Sequence, residues 1–303
     1  MGTFKRYSLF IATNLLVVFT ISIILNLIGA QKFLSSHGLN QSSLFLMCLV
    51  WGMAGSFVSL LLSKTLAKSA YNIKIIKPNT SDPTERKLID MVHDLSKRAG
   101  IKRMPEVGYY QSEEVNAFAT GPTKNRSLIA VSTALTHHMD EEQVEGVLAH
   151  EVAHVANGDM VTMTLIQGIV NAFAMFFSRI LASIISNAIS GKDRESRGFL
   201  YFALVQVLDI VLTLFGSIIV CWFSRHREYR ADEGAAKLST TGNIVSALEF
   251  LRTNYDVNAA LTKQTPQKLR SMKIFGFRSK GLMYLFSTHP TLTSRIDKLK
   301  GAR

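Results

Sequence analysis

His150, Glu151 and His154 lie in the run Val147-Leu148-Ala149-His150-Glu151-Val152-Ala153-His154, and their types and spacing suit hydrolytic metal chemistry. On a helix, residues four apart leave the same face, so both imidazoles can grip one zinc ion. Glu151 stands beside them as a base able to deprotonate a zinc-bound water. The run has the context of a helix interior. Asp140 with Gln143 three residues on reads as a capping box, Val144, Val147, Leu148 and Val155 form an apolar stripe, and Asn157-Gly158 ends it.

Two histidines do not complete a catalytic zinc site, which needs three protein ligands and one open position. The next candidate stretch is Ser224-Arg225-His226-Arg227-Glu228-Tyr229-Arg230-Ala231-Asp232. Glu228 and Asp232 are four apart and share a helix face, so one can bind zinc while the other orients a ligand imidazole. Cysteine offers nothing here: Cys48 and Cys221 are the only two, both inside apolar segments, which excludes a disulfide framework and a zinc-thiolate site. His37, His93, His137, His138 and His226 lack a usable ligand spacing and read as solvated surface groups, and Asp159 reads as a cap for the helix that follows Gly158.

The elements that must position these residues are largely membrane helices. The chain has 303 residues, 48% hydrophobic, with a mean hydropathy of +0.19. From Tyr7 to Gln31 and from Phe33 to Ser63 no charged residue occurs, and each run exceeds the roughly 20 residues a spanning helix needs. The apolar core of the first, Leu9 to Ile28, is too long for a cleaved signal peptide and reads as an anchor. Two further stretches, 160–189 and 199–223, read as a second hairpin. Arg179 and Asp209 interrupt it. Antiparallel neighbours would place them at about the same depth, so that they pair, or Arg179 snorkels outward and the hairpin is only partly embedded.

The net charge is +12, and basic residues flank the spans: Lys5 and Arg6 before the first, and Lys64, Lys68, Lys74 and Lys77 after the second. That pattern puts the N-terminus and the segments after Ser63 on the cytoplasmic side. No nucleic-acid motif accompanies the charge, which excludes a nucleic-acid partner in favour of a lipid bilayer.

Between the hairpins, Asp82-Pro83 with Glu85 starts a helix whose stripe Leu88, Met91, Val92, Leu95 and Ala99 runs to Gly100. Short extended runs follow, Val107 to Tyr110, Asn116 to Thr120 and Leu128 to Ser132, read as a small antiparallel sheet. Asn116-Ala117-Phe118-Ala119-Thr120 is either an edge strand able to pair with an extended peptide or an ordinary strand closing the core. Beyond Asp232, Ile244, Ala247, Leu248 and Leu251 form a helical stripe, the apolar runs Ile274 to Phe277 and Leu282 to Phe286 suit core packing, and Ile296 and Leu299 close a short terminal helix.

Over nearly its full length the chain resembles the HtpX-type bacterial membrane zinc metalloproteases, relatives of the Ste24 and Oma-type proteases. The likeness rests on the N-terminal double span, Asn116-Ala117-Phe118-Ala119-Thr120-Gly121, His150-Glu151-x-x-His154, Glu228-x-x-x-Asp232 and Ser287-Thr288-His289-Pro290. It implies one zinc ion held by His150, His154 and Glu228, Glu151 as general base, and Asp232 orienting a ligand histidine. It further implies that His289 stabilises the oxyanion and that Asn116, Ala117, Phe118, Ala119 and Thr120 hold the substrate backbone.

The fold expected is a mainly α membrane protein: a transmembrane hairpin (1–63), a cytoplasmic α+β gluzincin-like protease domain in two parts (64–159 and 224–303), and a second membrane hairpin (160–223). The expected function is endoproteolysis of misfolded or damaged membrane proteins in the bacterial inner membrane as quality control under stress, with self-cleavage or a homo-oligomer as further expectations. Two other classes stay open: a non-catalytic scaffold or adaptor that keeps zinc for structure, and a transporter using Arg179 and Asp209 as an ion relay.

Overall fold

A computed structural model describes residues 41–190, 194–262 and 282–301. The first expected span, Tyr7 to Gln31, and the run Ile274 to Phe277 lie outside the described residues. The helices are α1 (Gln41–Tyr71), α2 (Pro83–Arg98), α3 (Thr133–His138), α4 (Glu141–Asn157), α5 (Asp159–Ser190), α6 (Arg194–Leu238), α7 (Thr241–Thr262) and α8 (Leu292–Leu299). The strands are β1 (Lys74–Ile75), β2 (Glu106–Tyr110), β3 (Ala117–Thr120) and β4 (Leu128–Ser132), with short 3-10 turns at Lys124–Arg126 and Leu282–Phe286. The chain forms two compact units, one taking in the described residues through Val58 and Thr164–Cys221, the other Ser59–Met163 and the described residues from Trp222 onward.

In the first unit the usual distribution of polarity is inverted. Leu46, Val50, Ile184, Phe215 and Ile219 are among the large apolar side chains on its outside, while Asn171, Ser178, Arg179, Asp209 and Thr213 are buried. Such an arrangement suits a lipid solvent, in which apolar groups face outward and polar groups must find partners within. Three helices among the described residues are long and apolar enough to cross a membrane: Ser42–Tyr71, Asp159–Ile189 and Gly198–Leu238. Small residues let them approach closely; a Cβ on Gly52 would meet the backbone of Ala172 at 2.6 Å. Arg179 and Asp209 do pair, Nη1 to Oδ1 at 3.8 Å, with the Ser178 hydroxyl donating to the same carboxylate.

In the second unit the core is conventional. Leu88, Val92 and Leu95 of α2, Leu148 and Val152 of α4, and Ile244 and Leu248 of α7 pack with Ile129 and Val131 of β4. Leu128 and Ala130, on the other face of the same strand, pack with Ile73 and Tyr110. β4 is therefore buried on both faces, which explains its unbroken apolar run and places it in the sheet interior.

The sheet order is β1-β2-β4-β3, and it is mixed rather than antiparallel as expected. β2 runs parallel to β4, while β1 and β3 are antiparallel to their neighbours. The chain reverses direction twice between β2 and β4, so β4 regains the direction of β2; residue alternation carries no information on which strands become neighbours. β3 forms one edge of the sheet, starts at Ala117 rather than Asn116, and packs against α4.

Candidate metal centre

The α4 helix starts and stops where local chemistry dictates. The Asp140 side chain accepts from the Gln143 amide at 2.8 Å, and Gln143 Oε1 accepts from the Asp140 amide at 3.3 Å. Gly158 ends the helix in the left-handed conformation at φ 70°, and its amide donates to the last turn. Gly234 of α6 faces this helix; a Cβ there would meet that of Ala153 at 2.8 Å. Its missing side chain is what lets α6 lie close enough for Glu228 and Asp232 to reach the histidines of α4.

His150 Nε2 and His154 Nε2 are 3.1 Å apart, and the two oxygens of Glu228 each lie 3.4 Å from one of them. A tetrahedral ion with bonds of 2.0–2.1 Å separates its ligand atoms by about 3.3 Å, so this triangle has the right size for one metal ion. Its chemistry agrees. His150 Nδ1 faces Asp232 Oδ1 at 2.9 Å and His154 Nδ1 faces Asp159 Oδ2 at 2.6 Å, so each ring directs its Nδ1–H to a carboxylate and its Nε2 lone pair inward. Two lone pairs and a carboxylate then converge, an arrangement that can hold a metal cation. Among the described residues this is the group of His, Asp and Glu side chains assembled to hold one.

The surrounding charges agree with this. Glu228, Asp232 and Asp159 are each no more than 2% exposed. Arg295 of α8, also buried, grips Asp232 with Nε at 2.8 Å and Nη2 at 2.6 Å, and its Nη1 lies 3.9 Å from Glu228. Burial would lower the Arg295 pKa, but the hydrogen bond and charge of Asp232, then Glu228 and Glu151, raise it. Burial and Arg295 likewise push His150 down, and its bonds to Asp232 and Glu228 outweigh them, raising it to about 9. Without a metal, a proton on His150 answers part of the excess negative charge.

Each residue singled out in the sequence has a definite place. His150, His154, Glu228 and Asp232 meet directly. His289, half-exposed, sets its Nδ1 2.9 Å from Glu228 Oε2. Glu151 follows His150 on α4, half-buried and close enough to Arg295 to act on its charge. Asn116 precedes the edge strand and bonds Ser132, its amide donating to Oγ at 3.0 Å and its carbonyl accepting from the Ser132 amide at 2.8 Å. Ala117, Phe118, Ala119 and Thr120 form β3, all partly buried.

The sequence reading missed two members of the cluster. Asp159, expected to cap the next helix, instead holds the His154 ring, and Arg295 links Asp232 and Glu228. The turn that Gly158 makes swings Asp159 back toward His154; the five-residue spacing was the available signal. Arg295 had none, since its contacts depend on how α8 docks.

The comparisons agree with this geometry. Residues 82–303 match the model of Peptidase family M48. The "Protease HtpX homolog" of Methylacidiphilum infernorum is 44% identical over 298 residues, covering 98% of both chains. The "Protease HtpX" of Acinetobacter baylyi is 45% identical, covering 97% of this chain and 98% of that one, and that of Shewanella baltica is 46% identical, covering 98% and 100%. The crystal structure of S. mikatae Ste24p shares the fold at a TM-score of 0.55 and 21% identity; the match takes in 92% of this chain and 66% of the Ste24p chain. With its membrane-capable helices and its preformed metal tripod, the chain belongs to Peptidase family M48 and is a membrane metalloprotease of the HtpX type.

Proposed function

We propose that the chain is a zinc endopeptidase of the bacterial cytoplasmic membrane that cleaves misfolded or damaged membrane proteins. The observation that carries the reading is the triangle of His150, His154 and Glu228, matched in size and donor type to one zinc ion. Zinc held there would lower the pKa of a coordinated water and polarise the scissile carbonyl. Among the described residues three ligand side chains converge, as a catalytic site needs, and this favours an enzyme over a structural zinc scaffold.

The chain's own residues supply the rest. Asp232 and Asp159 fix the two imidazoles by their Nδ1 atoms. Glu151 takes the proton from the attacking water and delivers it to the leaving amine. His289 donates to the oxygen that becomes negative as the carbonyl is attacked. β3, at the sheet edge, pairs with an extended substrate backbone.

The basic residues flanking the spans support a cytoplasmic N-terminus and active site, and α5, a membrane-capable helix, begins five residues after His154. Substrates are accordingly membrane proteins or their cytoplasmic loops, another copy of the chain included. Detergent-purified protein with a membrane-protein substrate tests this. Glu151→Gln is expected to keep its zinc and to lose activity by about 10²–10⁴-fold; a zinc-loaded variant with full proteolysis would end the reading.

A further inference from the structure

Arg225 lies three residues before Glu228 on α6 and is 6% exposed. Its Nη1 lies 3.2 Å from the carbonyl of Tyr284, 3.3 Å from that of Leu285 and 2.6 Å from that of Ser287, and its guanidinium sits 4.8 Å from the centroid of the Tyr284 ring. Tyr284 and Leu285 lie in the 3-10 turn Leu282–Phe286 and Ser287 directly follows it, and the Tyr284 carbonyl also accepts from the Ser287 amide at 3.1 Å. Among the described residues no carboxylate pairs with Arg225. A buried guanidinium is expensive to desolvate, and an apolar side chain could occupy the same space at lower cost. What the cation obtains in return is the placement of the segment.

That segment leads to His289. The Ser287 hydroxyl donates to the His289 carbonyl at 2.7 Å, and His289 Nδ1 lies 2.9 Å from Glu228. Arg225, residues 284–289 and Glu228 thus form a closed circuit that returns to the same stretch of α6. We propose that Arg225 is a positioning residue: it fixes the turn before His289 so that this ring is held beside the Glu228 carboxylate during peptide hydrolysis. The proposal rests on the peptidase reading above. Its chemistry predicts a specific dependence, because an error of about 1 Å in a reacting group can cost on the order of 10²-fold in rate.

The test is a double-mutant cycle on the full-length, zinc-loaded protein, read by kcat and KM on a membrane-protein substrate, with metal content and Tm measured on each variant. Arg225→Met is expected to lower kcat by about 10–100-fold while KM changes by less than about twofold and zinc content stays at the wild-type level. Arg225→Lys, which keeps a cation but not the planar fork, is expected to recover part of the loss. His289→Ala should retain residual hydrolysis, and in that background Arg225→Met should change kcat by less than about twofold, because the two act as one unit.

Losses that multiply across the cycle, or wild-type kcat in Arg225→Met, would overturn the proposal. If Arg225→Met does not accumulate, the Arg225→Lys and His289→Ala pair completes the same cycle. Equal activity of wild type and Glu151→Gln would instead remove the peptidase reading, a result distinct from failure of the coupling.

Discussion

The two units of the chain each bury charges, and they treat them in opposite ways. In the first unit the Arg179 cation and the Asp209 anion meet at 3.8 Å, with the Ser178 hydroxyl donating to Asp209 and Arg179 donating to the Met175 carbonyl. Charge there is balanced by the protein itself. In the second unit three buried carboxylates, Glu228, Asp232 and Asp159, stand against one buried arginine, Arg295, which reaches the first two, while Arg227 and Arg230 reach Glu228 and Asp159 from the more exposed rim. A protein does not hold such an excess in its interior without a counter-charge. The difference separates a pair that stabilises a membrane bundle from a cluster that asks for a metal ion.

The sharpest way to break the comparison is to alter one carboxylate in each unit. Glu228→Gln is expected to empty the metal centre and to lower hydrolysis by on the order of 10³-fold, with metal analysis of the purified protein as the direct readout. Asp209→Leu should leave metal content at the wild-type level and instead destabilise the protein by about 3 kcal/mol, because it removes the buried carboxylate that faces Arg179. The double change Arg179→Met with Asp209→Leu should return most of that loss in detergent unfolding. Unchanged stability of the single variant would show that the pair is incidental.

A smaller effect comes from pH. In the metal-free protein His150 titrates near 9, above its ordinary value of 6.5. Below pH 6.5 the proton is bound in folded and unfolded chains alike, and its stabilising contacts are fully present. Between pH 6.5 and 9 the unfolded chain releases it while the folded chain does not, and stability declines until it is lost as pH rises through 9. A metal must displace the same proton, so affinity should rise by up to tenfold per pH unit over this window. Chelator competition at several pH values measures it, and a flat profile would contradict the assignment.

Much of this architecture can be read without coordinates. Asp82, Pro83 and Gly100 mark the ends of α2 and Asp140, Gln143 and Gly158 those of α4, because capping is settled within a few residues. The spacing of His150 and His154 already puts both rings on one helix face. Long apolar runs, charge-free up to Ser63 in α1 and interrupted by Arg179 in α5 and Asp209 in α6, identify the membrane-capable segments. Pairing of β2 with β4 is of another kind: Val107 and Ile129 become neighbours only after the chain has folded back twice between them.

The sequence alone therefore determined the local parts: which helix carries the two histidines, where Glu228 and Asp232 share a face, and which segments suit lipid. The tertiary structure decided what those parts meet. Arg295 reaches Asp232 through the docking of α8, and Arg225 reaches the carbonyls before His289 from a distant helix. The physical reason is range. Capping and periodicity act over one or two helical turns and are written in neighbouring residues, whereas charge balance in a buried site is a sum over groups that only packing brings together.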